Sequence, residues 1–159
     1  MASIVERITD DLVAALAAIT VANGYDFDVA AVEQERSVQV VSDRFPFIEV
    51  SGPTAEVTRE TTTQGDKHEL SYEIAFLDAV SDLDIGTEAP YPKQVASVAS
   101  ALQRAIMADH TRGGLAAMTR VLEYGPQRVY DEQAGALNLV IMAVMVETYI
   151  DMFDPDKLA

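Results

Sequence analysis

The sequence predicts an α/β protein of the α+β type: a mainly antiparallel sheet with a long projecting β-hairpin and two helices packed on it. Three observations carry this expectation. Ile4, Ile8, Leu12, Leu16 and Ile19 recur at helical spacing, and Val95, Val98, Leu102 and Ile106 repeat that stripe mid-chain. Around these segments, short runs rich in β-branched and aromatic residues alternate with polar ones and end in turn residues. A chain of 159 residues, 49% of them hydrophobic, can bury one sizeable core. No Pro/Gly/Ser linker divides it, so residues 1–159 read as one domain.

The first helix is expected over about Ser3 to Ala22. Ser3 and Glu6 form a capping-box pair at its start, and Asn23-Gly24 supplies left-handed backbone for its stop. A strand, Tyr25 to Val29, follows at once. The pattern loosens through Ala30 to Arg36, resumes at Val38-Gln39-Val40 and becomes strand-like in Phe45 to Ser51, which Gly52-Pro53 is expected to stop. Ala55 to Thr63 and Leu70 to Phe76 then form the two arms of the hairpin, about residues 55–77, with turn chemistry at Gln64-Gly65-Asp66. Its distal half, roughly Arg59 to Glu69, has no large apolar side chain and should project into solvent or onto a partner.

An acidic loop containing Asp82, Asp84, Gly86, Glu88 and Pro90 leads to the second helix, whose first turn suits Pro92. That helix should stop near Asp109-His110. Leu115 to Tyr124 reads as a strand broken by Gly125-Pro126, and Asp131 to Gly135 as a turn into the last strand, Ala136 to about Ile150. This final segment is apolar at both parities, with Leu139, Ile141, Met145 and Tyr149 on one face and Val140, Met142, Val144 and Val146 on the other. Both faces therefore need cover. Either the chain's own helices supply it or a second subunit buries one face, while valine and isoleucine content argues against a helix here. Residues 151–159 form a short tail.

Composition narrows the function classes. The formal charge of −15, from 26 acidic against 11 basic side chains, disfavours nucleic-acid binding, because phosphate affinity comes from lysine and arginine. Only Lys67, Lys93 and Lys157 are lysines, and the acids are spread along the chain. Such a surface fits a protein working in high salt, where self-repulsion is screened, or an ordinary acidic cytosolic protein. Without cysteine there is no disulfide, zinc-thiolate site or thiol nucleophile. The longest apolar run, Leu139 to Val146, is too short to span a bilayer, and Glu6, Asp10 and Asp11 stand where a signal peptide would be basic and then apolar.

Motifs for catalysis are missing. There is no G-x-S-x-G elbow, no phosphate loop ending in Gly-Lys-Ser/Thr, and no G-x-G-x-x-G after a strand. His68 and His110 each lack a second histidine at metal-ligand spacing, and His110 is expected to cap the second helix's C-terminus. Asp82-x-Asp84 with Glu88 has calcium-type oxygen donors without the full ligand order. The expectation is a protein that is not an enzyme and carries no cofactor or metal.

Two local motifs and the order of elements carry one resemblance. Ile19-Thr20-Val21-Ala22-Asn23-Gly24-Tyr25 after an N-terminal helix, and Asp109-His110-Thr111-Arg112-Gly113-Gly114-Leu115-Ala116, which looks like a D-x-T-x-G-G-L-A segment, resemble tail-terminator (tail completion) proteins of long-tailed bacterial and archaeal viruses. The strand Phe45 to Val50, the hairpin Val57 to Phe76 and the mid-chain helix follow that family's order, whereas Ala30 to Arg44 and Asp151 to Ala159 have no counterpart in it.

The resemblance implies an α/β fold with an antiparallel sheet and a hexameric ring at the head-proximal end of the tail tube. Such a ring stops tube polymerisation and meets neck or head-completion proteins. It implies localisation in the virion, and in the host cytoplasm during assembly. The hairpin residues Arg59, Glu60, Thr61, Thr62, Thr63, Gln64, Asp66 and Lys67 then become candidate partner or subunit contacts, and Val140, Met142, Val144 and Val146 candidates for burial by a neighbouring subunit. Six copies would carry a charge of about −90, so DNA would slide through an acidic lumen without specific binding. Two alternatives stand beside this reading: another neck or tail-tube protein of the same virus, and a free acidic regulator that mimics DNA.

Overall fold

The computed structural model describes residues 2–34, 45–59, 65–79, 91–131, 135–151 and 153–159. The chain runs α1 (Ile4–Ala17), a 3-10 turn (Val21–Asn23), β1 (Ala31–Gln34), β2 (Phe47–Arg59), β3 (Gly65–Ala79), α2 (Tyr91–Met107), β4 (Met118–Asp131) and β5 (Gly135–Asp151). Among the described residues, five strands form one sheet in the order β1-β2-β3-β5-β4. The β1–β2 pair is parallel, and the others are antiparallel. The α+β class read from the sequence is the fold observed.

Local chemistry explains the start of the chain. Ser3 and Glu6 make the capping box in both directions, with the Ser3 amide donating to Glu6 Oε2 at 2.7 Å and the Glu6 amide to Ser3 Oγ at 3.2 Å. The helix ends at Ala17, earlier than the predicted Ala22, because the backbone tightens into the 3-10 turn that Thr20 caps. Gly24 closes that turn at φ +83°, a conformation that glycine adopts without a Cβ clash. Tyr25 to Val29 is not a strand. Tyr25, Phe27 and Val29 do alternate inward against the core, but their backbone joins no ladder, and the strand forms later, at Ala31–Gln34. Phe27 meets Phe76 edge to face at 5.4 Å.

Both helices cover the same face of the sheet. Ile4, Ile8, Leu12 and Leu16 of α1 and Val95, Ala99, Leu102 and Ile106 of α2 share one cluster with the inward residues of β2, β3 and β5. Inside it, Thr9 Oγ1 and the Tyr72 hydroxyl lie 2.9 Å apart, so two buried polar atoms satisfy each other. On the opposite face, a small cluster of Phe47 and Leu77 with Phe45, Ala31, Ala75 and Ile141 lies at the β1 end.

Two predicted strand breaks do not occur. Gly52-Pro53 makes a bulge between Ser51 and Thr54, and β2 continues to Arg59. Gly52 sits at φ +105°, and a Cβ there would lie 2.8 Å from the Ser71 carbonyl oxygen. Likewise β4 runs through Gly125-Pro126, paired with Ile141 and Val140. Since β4 is the last strand in the sheet order, Pro126 is tolerated there. The second helix behaves as predicted, ending at Met107. Val38 to Val40 and the acidic loop from Asp82 to Pro90 lie outside the described residues.

Candidate subunit-contact surfaces

The hairpin consists of β2 and β3, in register from Phe47↔Leu77 to Arg59↔Asp66. Thr54 to Arg59 are all exposed, and inward-facing Val57 is 52% exposed, so this arm extends beyond the cover of the helices. The β3 arm does not stand free. It pairs with β5 from Gly65↔Asp151 onward, because a 17-residue β5 reaches the hairpin's end. Backbone pairing needs no apolar side chain, which is why the polar composition of Asp66 to Glu69 did not reveal it.

The candidate contacts in this hairpin divide accordingly. Arg59 is 70% exposed, with its Nε 3.6 Å from Asp66 Oδ1. Lys67 is held more firmly. Its Nζ lies 3.0 Å from Glu69 and 3.1 Å from Glu147, which face each other across β3 and β5. Directly opposed like charges destabilise a sheet, and Lys67 neutralises the pair. Hydrogen bonds to Glu69 and Glu147 raise the Lys67 pKa above its ordinary value. Glu60, Thr61, Thr62, Thr63 and Gln64 lie outside the described residues.

Val140, Met142, Val144 and Val146 need correction as surfaces for a neighbouring subunit. They are 3% exposed or less and belong to the core beneath α1 and α2. The two helices cover this face over β5, so among the described residues the face left open is the other one, where Ile141, Ala143, Met145 and Tyr149 are half-buried. By register, that open face also carries Glu49, Glu56, Glu69, Glu73, Glu123 and Glu147. Glu56, Glu69 and Glu147 stand in a row across three adjacent strands. The acidity of the sequence is thus partly concentrated on one sheet surface.

The sheet's edges are the second surface. β1 covers only Phe47 to Val50 of β2, leaving the stretch from Thr54 to Arg59 without a neighbour on that side among the described residues. At the other end of the sheet, β4 is likewise unpaired on its outer side among the described residues. It exposes Met118 at 39%, Leu122 at 57% and Tyr124 at 52%. Such edges pair readily with other chains.

The Asp109 to Ala116 segment is built for holding elements together. The Asp109 carboxylate accepts from the Thr111 amide at 2.9 Å, the Thr111 hydroxyl at 2.7 Å and the Gly113 amide at 2.6 Å. The Thr111 side chain, then the Gly113 and Thr111 amides, hold its pKa down to about 2. Arg112, Gly113 and Gly114 all have positive φ, which turns the chain from α2 toward β4. This turn drives the Arg112 side chain into the interior, with 0% side-chain exposure. Its Nη2 donates to the Ile106 and Asp109 carbonyls, and its Nη1 lies 3.1 Å from Asp11 on α1.

Arg112, not His110, therefore caps the C-terminus of α2 with positive charge. His110 is exposed, and only its backbone carbonyl takes part, accepting from Thr119 Oγ1 at 2.9 Å. The other resembling motif is also a structural joint. Arg104 of α2 donates to the Gly24 carbonyl at 2.9 Å and stacks over the Tyr25 ring at 4.2 Å.

Among the described residues, no group of three or more His, Asp or Glu side chains is placed to hold a metal, and no helix is long and apolar enough to cross a membrane. These surfaces define the chain as an α+β protein with one covered and one open sheet face. No family model and no curated protein matches it. Among solved structures, a chain from the virion of a native gene transfer agent (GTA) particle aligns over 91% of this chain and 92% of its own length, at 11% identity and a TM-score of 0.39. At that score the likeness decides neither fold nor role.

Proposed function

We propose that this chain is a non-enzymatic virion structural protein: a tail terminator that closes into a ring at the head-proximal end of the tail tube, stops tube growth and joins the tail to the neck. The observation that carries this reading is the pair of open edges at opposite ends of one sheet. A contact between unlike edges is heterologous, and repeated under a closing rotation it yields a ring. Arg59 and the exposed stretch of β2 before it stand at one of those edges, which supports the contact role given to Arg59. The glutamates of the open face support a lumen position, where like charge keeps DNA from sticking.

Electron microscopy of the purified protein mixed with tail-tube protein tests this reading. Closed rings seated on tube ends are the expected result; open filaments would point instead to a tube subunit. The same glutamate-rich face favours one second reading, an acidic DNA mimic. That reading predicts a monomer or dimer that competes with DNA for a basic cleft in a salt-sensitive way.

A further inference from the structure

The segment after β5 presents the most exposed large apolar side chain among those described. Phe153 is 87% exposed, yet its backbone is fixed: its amide donates to Asp151 Oδ1 at 2.8 Å, and the Asp154 amide donates to the same oxygen at 3.2 Å. The rest of the segment folds back onto β5. Asp151 N–H donates to the Lys157 carbonyl and Ala159 N–H to the Tyr149 carbonyl, each at 3.0 Å, and the Ile4 amide donates to the Pro155 carbonyl at 3.3 Å. An aromatic ring held out on an ordered turn loses little entropy when it docks. Asp154, ion-paired with Lys157 at 2.7 Å, and Asp156 follow it in the chain.

The matching surface is on β4. Met118 and Leu122 are exposed there, and between them Arg120 is exposed with its Nε 2.7 Å from the Met118 sulfur. This apolar strip suits a phenylalanine, and Arg120 in its middle, on a face where Glu147 is already paired with Lys67 and Glu123 stands near Leu122, offers a cation to the Asp156 carboxylate. The two cannot satisfy each other within one copy as folded, since Phe153 and Leu122 both remain open.

We infer that the Phe153 turn of one copy docks on the Met118–Leu122 strip of β4 in a second copy, with Arg120 facing Asp156. The contact rests on the ring reading proposed above and specifies side chains for it. It joins two different surfaces, so it propagates head to tail. Phe153 supplies the apolar anchor, and the charges set partner orientation.

Sedimentation equilibrium on the full-length chain tests it with wild type, Phe153→Ala, Arg120→Asp and the double variant Arg120→Asp/Asp156→Arg. All three sites are exposed or half-exposed, and an unchanged urea midpoint will verify that each variant folds. Assembly should weaken about 10- to 100-fold in Phe153→Ala and clearly in Arg120→Asp, and the double variant should recover most of the loss. A wild-type ring that Phe153→Ala leaves equally tight overturns this contact while the ring reading stands. A double variant that assembles no better than Arg120→Asp also overturns it. Wild-type protein that remains monomeric overturns both.

Discussion

Arg112 provides the sharpest test of how the fold is held. Replacing it with alanine removes a charged donor from the Ile106 and Asp109 carbonyls and breaks the ion pair with Asp11. Hydrogen bonds to a charged group contribute about 1.5–3 kcal/mol each. The opposing effect is desolvation, which lowers the Arg112 pKa and is only partly offset by Asp11 and Asp109. Asp11 is 38% exposed, so its pairing adds little beyond orientation. The net expected loss is about 3 kcal/mol, because the buried Ile106 carbonyl near the end of α2 loses its charged donor and the Asp109 carbonyl keeps only the residue-112 amide.

For a chain of this size that corresponds to a fall of roughly 6–12 °C in Tm. Urea unfolding of wild type, Arg112→Ala and Arg112→Lys measures it. Lysine should recover little, since one ammonium cannot span both carbonyls and the α1 carboxylate as a planar guanidinium does. A loss below about 1 kcal/mol in Arg112→Ala, or full recovery by lysine, would refute the view that this side chain ties α1 to the end of α2.

Three further outcomes follow from the same geometry. Lys67→Met leaves Glu69 and Glu147 opposed, so its urea midpoint should drop at low ionic strength and approach wild type in molar salt. Asp109 has a folded pKa of about 2 against an ordinary 3.8, so its contribution is full above that ordinary value and fades as pH falls from about 4 to 2; Asp109→Asn should lose this part of the acid dependence in urea midpoints measured across pH 5 to 2. Gly52→Ala should destabilise by about 1–3 kcal/mol in the same assay, from its positive φ and the nearby Ser71 carbonyl.

Much of the architecture was legible because it depends on local or periodic signals. Ser3 and Glu6 announced the first helix, and the stripes of both helices named buried residues, apart from Val98, which is only half-buried beside the buried Ala99. The last strand's two apolar parities marked both of its faces as needing cover, but not which parity the helices would take. That choice depends on sheet order, which no single strand encodes. Sheet order also explains the misread Gly125-Pro126: a proline pattern reads as a break unless the strand is known to lie at an edge. Tyr25, Phe27 and Val29 misled for a related reason, since alternation reports burial and not backbone pairing. Arg112 was invisible as a buried residue because its sequence neighbourhood, Thr111-Arg112-Gly113-Gly114, reads as an exposed turn. Only the positive φ values turn its side chain inward.

The mass of the purified protein in solution, determined by light scattering at low and at multimolar salt, addresses the central claim most directly. A discrete symmetric oligomer, persisting when salt screens the charge of −15 per copy, is the predicted result. A single chain at every salt concentration, with no association even when repulsion between acidic faces is suppressed, would contradict it.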